Sequence, residues 1–548
     1  MGGKYIAALL ASFLLITMET AQSQICSKTI GPRPVTAGLD LLQISPDSQW
    51  VLYSTGENEG NNDQPTEVYS INLKTGRSKK ISLPIANGRR IKEAVFSPDS
   101  ADIVYVVSDQ ENTGSCEASD EYYDFDSCNY PQDFFRVPAD GGEVVHINRS
   151  LNIHLGELTT NFTFTSDSAS LYFWTRSNIL TYSMASDTFE EIASELPQKL
   201  NATLSGDEKW FVFESGNETR TSQSLFTYDI ENDVLTQVSK PLLQDAPGLR
   251  MFTVDPSSTY TYYVGDFDAP ADYGVYKVPL NGGASTKVSG DLDLFTNPSA
   301  PRLSFFMHGF GGVPSHLYFN TVDSGENSLY RLGVDSTTPE LVTDKVTGAM
   351  RFSPNGLFGV GFLRELRVGE LLKVPFVGVD GVSFIFPEIK PFSSFRNWEI
   401  SPDSSEIIFI AQNGSSSSSR ALFRIPVNGG AISPMTAEGV GEFSFSADGK
   451  SVFVSSRDAA GTSDQLEQIN LADGSSVIVD KQIFATQSIF EYQSSNDSQF
   501  VVSKITHREG PGLIKRRLQI NKLGVCEAES SMCFPVLGKS GRVAQICL

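Results

Sequence analysis

The stretch Trp398-Glu-Ile-Ser-Pro-Asp-Ser404 leads into two apolar runs, Glu406-Ile-Ile-Phe-Ile410 and Ala421-Leu-Phe-Arg-Ile-Pro426, and then into the turn sequence Val427-Asn-Gly-Gly430. Short runs rich in Ile, Phe and Val, bounded by Pro-Asp-Ser or Asn-Gly-Gly, are typical of β-strands joined by tight turns. A unit of this size has too little surface to bury by itself, so that a stable fold needs neighbouring copies of it.

The Ser-Pro-Asp-like turn recurs along the chain with a mean period of about 50 residues, which is the spacing of propeller blades. Nine copies are clear: Ser45-Pro46-Asp47, Ser97-Pro98-Asp99, Thr165-Ser166-Asp167, Ser205-Gly206-Asp207, Asp255-Pro256-Ser257, Ser353-Pro354-Asn355, Ser401-Pro402-Asp403, Ser446-Ala447-Asp448 and Ser495-Asn496-Asp497. The interval from Ser257 to Asn355 is about twice the usual length. Apolar stretches at 302–306, 317–320 and 329–332 predict a degenerate tenth repeat inside it.

Most repeats continue with a third strand, a Gly-containing turn such as Asp140-Gly-Gly142 or Asn281-Gly-Gly283, and a fourth strand. Asn-Gly and Asp-Gly favour tight hairpins because these residues tolerate positive φ. Four strands per repeat make a propeller blade. The predicted fold is therefore all-β, a β-propeller of four-stranded antiparallel blades with about ten repeats, arranged as one large ring or two smaller rings.

Three of the turns, Phe96-Ser-Pro-Asp-Ser100, Phe352-Ser-Pro-Asn-Gly356 and Phe445-Ser-Ala-Asp-Gly449, resemble the TolB-like, WD-related β-propeller repeats. The resemblance covers about residues 41–521 and implies the fold more than a function. It extends to the propellers that precede the catalytic domain of prolyl oligopeptidase and dipeptidyl peptidase enzymes. TolB has six blades and an α/β domain, whereas this sequence shows about ten repeats and neither that domain nor a peptidase catalytic domain.

The first residues predict a secretory signal peptide at 1–23, because Lys4 precedes an apolar run at 6–16 and Ala21 and Ser23 form a small-residue cleavage site. The predicted organisation is this leader, a propeller at 24–525 and a Cys-containing tail at 526–548, in a secreted protein. No later apolar run is long enough to predict a transmembrane segment. The net charge of −23 disfavours nucleic acid as a partner.

Six cysteines follow the leader, and an even count in an oxidising compartment predicts disulfides. Cys116 and Cys128 are expected to pair within one loop. Cys26 is then expected to pair with one of three C-terminal cysteines, Cys526, Cys533 and Cys547, and the other two with each other. Six sequons predict N-glycosylation, at Asn148, Asn161, Asn201, Asn217, Asn413 and Asn496.

The sequence contains no Gly-x-Ser-x-Gly elbow, no zinc-ligand spacing and no P-loop, which predicts a protein that is not an enzyme and has no cofactor. Two acidic clusters offer oxygen ligands of the kind that Ca²⁺ prefers, although neither has EF-hand spacing. They are Asp120, Glu121, Asp124 and Asp126, and Asp266, Asp268 and Asp272. The alternative for both is a solvated acidic loop.

A long insertion between Asp109 and Asp133 holds the aromatic and acidic residues Tyr122, Tyr123, Asp124, Phe125 and Asp126. Tyrosine supplies a large contact area at a modest entropic cost, so this segment is predicted to bind a protein or peptide partner. The alternative is that its rings fold back over the second blade. The leading prediction is a secreted, non-enzymatic binding scaffold. Two others stay open: an accessory or degenerate propeller of a peptidase-type enzyme, and a carbohydrate-binding propeller.

Overall fold

The computed structural model of the protein describes most of the chain after the predicted leader. The described residues are 25–28, 39–57, 64–86, 88–109, 132–148, 162–175, 177–197, 199–216, 223–243, 248–270, 272–290, 305–310, 313–323, 326–333, 336–343, 351–365, 368–375, 383–384, 394–412, 420–437, 439–457, 464–481, 487–510, 513–525, 533–537 and 543–547. Within them the chain forms ten four-stranded sheets, which we call blades 1 to 10, and one separate two-stranded sheet.

The strand β1 (Ile25–Lys28) precedes blade 1 in the chain. The first five blades follow, each with its strands in the order A to D. Blade 1 holds β2 (Leu39–Ile44), β3 (Trp50–Glu57), β4 (Gln64–Asn72) and β5 (Ser78–Lys80); blade 2 holds β6 (Arg89–Phe96), β7 (Asp102–Asp109), β8 (Gln132–Pro138) and β9 (Val145–His146); blade 3 holds β10 (Phe162–Phe164), β11 (Ser170–Trp174), β12 (Ile179–Ser183) and β13 (Thr188–Ala193); blade 4 holds β14 (Lys199–Leu204), β15 (Trp210–Gly216), β16 (Gln223–Asp229) and β17 (Val234–Gln237); blade 5 holds β18 (Leu249–Val254), β19 (Tyr260–Gly265), β20 (Gly274–Pro279) and β21 (Thr286–Lys287).

The second half of the chain has the same construction. Blade 6 holds β22 (Phe305–Phe310), β23 (Val313–Asp323), β24 (Glu326–Gly333) and β25 (Glu340–Thr343); blade 7 holds β26 (Arg351–Phe352), β27 (Phe358–Glu365), β28 (Val368–Pro375) and β29 (Ser383–Phe384); blade 8 holds β30 (Ser394–Ile400), β31 (Glu406–Gln412), β32 (Arg420–Pro426) and β33 (Ser433–Pro434); blade 9 holds β34 (Val440–Phe445), β35 (Ser451–Arg457), β36 (Asp464–Asn470) and β37 (Ser476–Lys481); blade 10 holds β38 (Gln487–Ser494), β39 (Phe500–Gly510) and β40 (Leu513–Val525); the two-stranded sheet holds β41 (Cys533–Leu537) and β42 (Val543–Cys547).

The predicted fold class is confirmed, because every described element is a strand and each blade is an antiparallel meander of four. Blade 6 arises from the degenerate repeat. Blade 10 takes its fourth strand from the other end of the chain, since β1 pairs antiparallel with β40, with Ser27 opposite Asn521. This pairing covers an edge that would otherwise be open to other chains.

The blades contact one another in circular order. Buried cores lie between blades 1 and 2, 2 and 3, 3 and 4, 4 and 5, 5 and 6, 7 and 8, 8 and 9, and 9 and 10. At the junction of blades 6 and 7, the rings of Tyr318 and Phe352 lie 6.3 Å apart. A further core joins blade 10 to blade 1 through Phe500 and Val502 on one side and Val51 on the other. These contacts run from each blade to the next, and the last of them joins the two ends of the chain.

Aromatic pairs stiffen the middle of six blades. In each pair a residue of strand B lies directly opposite one of strand C, and the rings stack 5.0–5.8 Å apart. Side chains at such cross-strand positions interact directly and stabilise the sheet. The pairs are Tyr53–Tyr69, Tyr105–Phe135, Phe213–Phe226, Tyr263–Tyr276, Phe319–Tyr330 and Phe409–Phe423.

The Ser-Pro-Asp turns join strands A and B, and at six junctions they also hydrogen-bond one blade to the next. Within a turn, Ser401 Oγ donates to Asp403 Oδ1 at 2.6 Å, and this bond lowers the pKa of Asp403. The residue after the Asp has positive φ, as at Ser48 (61°) and Ser100 (65°). Its hydroxyl accepts the backbone N–H of the Asp, or Asn, in the preceding blade at 3.0–3.1 Å. The six acceptors are Ser48, Ser100, Ser168, Ser258, Ser404 and Ser498.

Candidate functional site on the loop face

The antiparallel blades give the ring two unlike faces. The turns from A to B and from C to D lie on one face, which we call the turn face. The connections from B to C and from each blade to the next lie on the other, the loop face. Between strand bounds, the longest turn-face connection is 376–382, whereas the loop face carries 110–131, 147–161 and 288–304. Long connections on a rigid scaffold are where binding residues concentrate, so the loop face is the candidate site.

The longest of these connections leaves blade 2 between β7 and β8, whose last described pair is Ser108 with Gln132. Asn148 holds the start of β8 in place. Its Oδ1 accepts the N–H of Phe134 at 2.9 Å, and its Nδ2 donates to the carbonyl of Gln132 at 2.9 Å. Asn148 is only 3 % exposed. The segment 110–131 therefore begins and ends on firmly held backbone.

A polar cluster lies at the same end of blade 2. The Asp133 carboxylate accepts a hydrogen bond from the Arg89 guanidinium and lies 3.0 Å from His146 Nε2. The His146 ring stacks on Phe135 at 4.6 Å. These groups come from strands A, C and D, so the cluster ties three strands together beside the insertion.

Tyr105 extends this network to the preceding blade. Its ring stacks on Phe135 at 5.0 Å, and its hydroxyl accepts the backbone N–H of Leu83 at 3.1 Å. Burial raises the pKa of Tyr105 to about 12, so that the hydroxyl stays protonated at any physiological pH. Leu83 lies in the connection from blade 1 to blade 2 on the loop face. The base of the insertion is thus braced by two blades.

The predicted binding loop itself, Tyr122, Tyr123, Asp124, Phe125 and Asp126, lies outside the described residues. The same holds for Cys116 and Cys128, for the first acidic cluster, and for three sequons, Asn161, Asn217 and Asn413. Asn201, at the loop-face end of β14, and Asn496, in the turn of blade 10, are exposed. Asn148 differs from them, because both polar atoms of its amide are engaged in a buried site. We therefore propose that Asn148 carries no glycan.

The second acidic cluster has partners in the protein. Asp266 is fully buried and accepts the N–H of Gly248 at 2.8 Å, and Asp272 pairs with Lys287 at 3.3 Å. Burial opposes the ionisation of Asp268, but the hydrogen bond from Lys240, at 2.6 Å, and the Tyr276 hydroxyl, together with the charges of Lys240 and Lys287, outweigh it and lower the pKa of that carboxyl. In the part of the chain that the structure describes, no group of three or more His, Cys, Asp or Glu residues could hold a metal ion. This cluster is a set of structural ion pairs and caps.

Comparisons with known proteins found only distant similarity to solved structures. No family model and no curated protein matches the sequence. Among solved structures, a eukaryotic initiation factor is 11 % identical with a TM-score of 0.45, over 79 % of this chain and 95 % of that one. Porphyromonas gingivalis dipeptidyl peptidase 4 is 12 % identical with a TM-score of 0.41, over 87 % and 67 %. A TolB from Agrobacterium tumefaciens is 13 % identical with a TM-score of 0.25, over 47 % and 88 %. Similarity this low is not evidence of a shared function.

No helix within the described ranges is long and apolar enough to cross a bilayer.

Proposed function

We propose that this chain is a secreted, non-enzymatic β-propeller that binds a protein or peptide partner on its loop face. The observation that supports this most is the asymmetry of the two faces. The turn face is closed by short turns that hydrogen-bond from blade to blade. The loop face carries the long connections, and the longest of them stands on a braced base at blade 2.

The composition of that connection indicates the kind of partner. Tyr122, Tyr123 and Phe125 supply aromatic contact area, and acidic residues alternate with them. Aromatic anchors contribute most of the affinity in typical interfaces, and complementary charge speeds association. We therefore propose that the partner presents basic side chains around an apolar groove or pocket.

The test is affinity capture from the medium of the cells that secrete the protein, with partners identified by mass spectrometry. The triple variant Tyr122→Ala, Tyr123→Ala, Phe125→Ala is expected to recover about tenfold less of the partner than the wild type, because anchor residues are lost. The control is Leu357→Ala, since Leu357 is a large side chain that is 45 % exposed on the turn face. Equal recovery by the triple variant, or loss with the control, would contradict the proposed face.

A separate experiment addresses the absence of catalysis. The purified chain is expected to hydrolyse fluorogenic peptides and esters no faster than the buffer does, because the sequence has no nucleophile elbow. A fluorophosphonate probe for reactive serines should likewise leave it unlabelled. Turnover that disappears when one serine is replaced by alanine would show that the protein is an enzyme.

A further inference from the structure

A cleft opens between blades 4 and 5 on the turn face, away from the proposed partner face. Its volume is about 380 Å³, which is within the range of small-molecule sites. It is lined by Trp210 from blade 4 and by Ser258, Thr259, Tyr260, Pro279, Leu280 and Asn281 from blade 5. None of these residues is charged.

At the corresponding place between blades 1 and 2, a lysine side chain closes the junction. Lys79, on strand D of blade 1, donates from Nζ to the carbonyl of Gly141 in the C-to-D turn of blade 2 at 2.7 Å. Thr236 is the corresponding residue of blade 4. It lies against the corresponding glycine, since a Cβ added at Gly282 would meet Thr236 Cγ2 at 3.1 Å. The short side chain cannot reach along the turn, and the neighbouring Asn281 stays exposed.

A second cross-blade contact is missing at this junction. In blade 1, Ser70 Oγ donates to the carbonyl of Ala139 in the next blade at 2.7 Å, and in blade 8 Arg424 reaches Leu471 in the same way at 2.9 Å. Thr227 holds this strand C position in blade 4. It is fully buried, and its hydroxyl has no partner in the described part of the protein. Thr227 does not line the cleft, but its unpartnered hydroxyl means that this strand C position does not bond blade 4 to blade 5 as Ser70 bonds blade 1 to blade 2.

We propose that this cleft binds a neutral carbohydrate, with a sugar ring packed against the Trp210 indole and sugar hydroxyls bonded to the exposed Asn281 amide. An aromatic ring accommodates the apolar C–H face of a sugar, while uncharged polar groups orient its hydroxyls. The residues that line the cleft are uncharged, which favours a neutral ligand over a charged one. The Tyr260 ring is less available for stacking, since Lys277 Nζ lies 3.8 Å from its centroid.

The experiment titrates the full-length protein with neutral disaccharides (cellobiose, chitobiose, mannobiose and lactose) and follows the heat of binding by isothermal titration calorimetry. Trp210→Ala is expected to weaken binding about tenfold or more. Trp50→Ala is the matched control, because Trp50 starts strand B of blade 1 just as Trp210 starts strand B of blade 4. At that junction Asp102 and Asp140 replace Tyr260 and Asn281, and Lys79 is present. The control should bind within about twofold of the wild type.

A second variant leaves the tryptophan in place. Thr236→Lys introduces the lysine that closes the junction of blades 1 and 2, so it should abolish binding without lowering the melting temperature. The proposal is overturned if none of the four sugars binds, if Thr236→Lys binds as well as the wild type, or if a proline-rich peptide displaces the sugar and binds more tightly. The triple loop variant should keep sugar binding, so this test and that of the loop face fail independently.

Discussion

Replacing Cys26 by serine is expected to lower the melting temperature of the ring strongly and to leave one C-terminal cysteine with a free thiol. Cys26 lies on β1, which closes blade 10 by pairing with β40. The register places Ile25 opposite Val525 and Cys26 opposite Lys522, so Cys526, which follows Val525 outside the described residues, is not the residue opposed to Cys26. In the two-stranded sheet, Cys533 lies directly opposite Cys547. Directly opposed residues of antiparallel strands are about 4.5–5.5 Å apart, within the range that a disulfide spans.

We therefore propose the pair Cys533–Cys547 among the alternatives that the sequence leaves open. With Cys116 and Cys128 expected to pair locally, Cys526 is then the cysteine left for Cys26, so we also propose Cys26–Cys526. A bridge between Cys26 and Cys526 encloses about 500 residues, and the loop model gives it roughly 5 kcal/mol, although measured gains often fall short of this. Its loss would also release the strand that covers the edge of blade 10.

Thermal melting and non-reducing peptide mapping test both pairs. Cys547→Ser is the control, because it opens a bridge in the separate two-stranded sheet and should leave the melting of the ring almost unchanged. Mapping should also find Cys116 joined to Cys128, a local bridge worth on the order of 3 kcal/mol. A Cys26 thiol that is free in the wild type, or a Cys26→Ser protein that melts like its parent, would rule out the covalent closure.

The sequence predicts most of the architecture because its turns are local signals. A Ser-Pro-Asp turn needs only its own residues to form, so each copy could be recognised without knowing its neighbours. In blade 6 the turn motif is missing, and the strand bounds are predicted less well. The predicted stretches 317–320 and 329–332 lie within β23 and β24, but 302–306 only overlaps the start of β22. The connection from strand A to strand B there is 311–312, and it lacks the motif that marks the boundary elsewhere.

Features that depend on neighbouring blades could not be predicted in the same way. Ser48 and Ser100 adopt positive φ, which is unfavourable for residues other than glycine. The compensating hydrogen bond comes from another blade, and for Ser48 the donor is Asp497 at the far end of the chain. The cleft is hidden for the same reason. Thr227 and Thr236 stand where blade 1 has Ser70 and Lys79. The sequence does not show this correspondence, because it depends on the register of the strands in both blades.

Asn148 shows that one local pattern can carry two meanings. Its sequon predicts a surface glycan, but its position relative to strand C is that of Ser82, Ser239, Ser289 and Thr436. In each case the side chain accepts the backbone N–H of the residue fourteen positions earlier. Asn148 makes a second hydrogen bond besides this one, because its Nδ2 donates to the carbonyl of Gln132. In this position the Asn148 amide is hydrogen-bonded within the blade, and we expect no glycan on it.

Replacing Asn148 by alanine is therefore expected to destabilise the protein markedly. It leaves the Phe134 N–H and the Gln132 carbonyl without their partner in a buried site, and each unpaired group costs roughly 1–3 kcal/mol. Asn148→Ser should recover part of the loss, because serine accepts the equivalent N–H in blades 1, 4 and 5. Asn201→Ala, at an exposed sequon, should change the free energy of unfolding by no more than about 0.5 kcal/mol apart from any effect of a lost glycan.

Denaturant unfolding measures these differences, and glycopeptide mapping of the secreted protein supplies an independent readout. The peptide with Asn148 is expected to be unmodified, whereas Asn201 is exposed and open to modification. Asn496 is also exposed, but its Nδ2 donates to the Pro46 carbonyl at 3.0 Å, a bond that a glycan there would have to break. The two readouts are linked, because a glycan on Asn148 Nδ2 would have to break the bond to Gln132 and displace the start of β8. A glycan found on Asn148, or an Asn148→Ala protein as stable as the wild type, would show that the base of the insertion is not held in the way described.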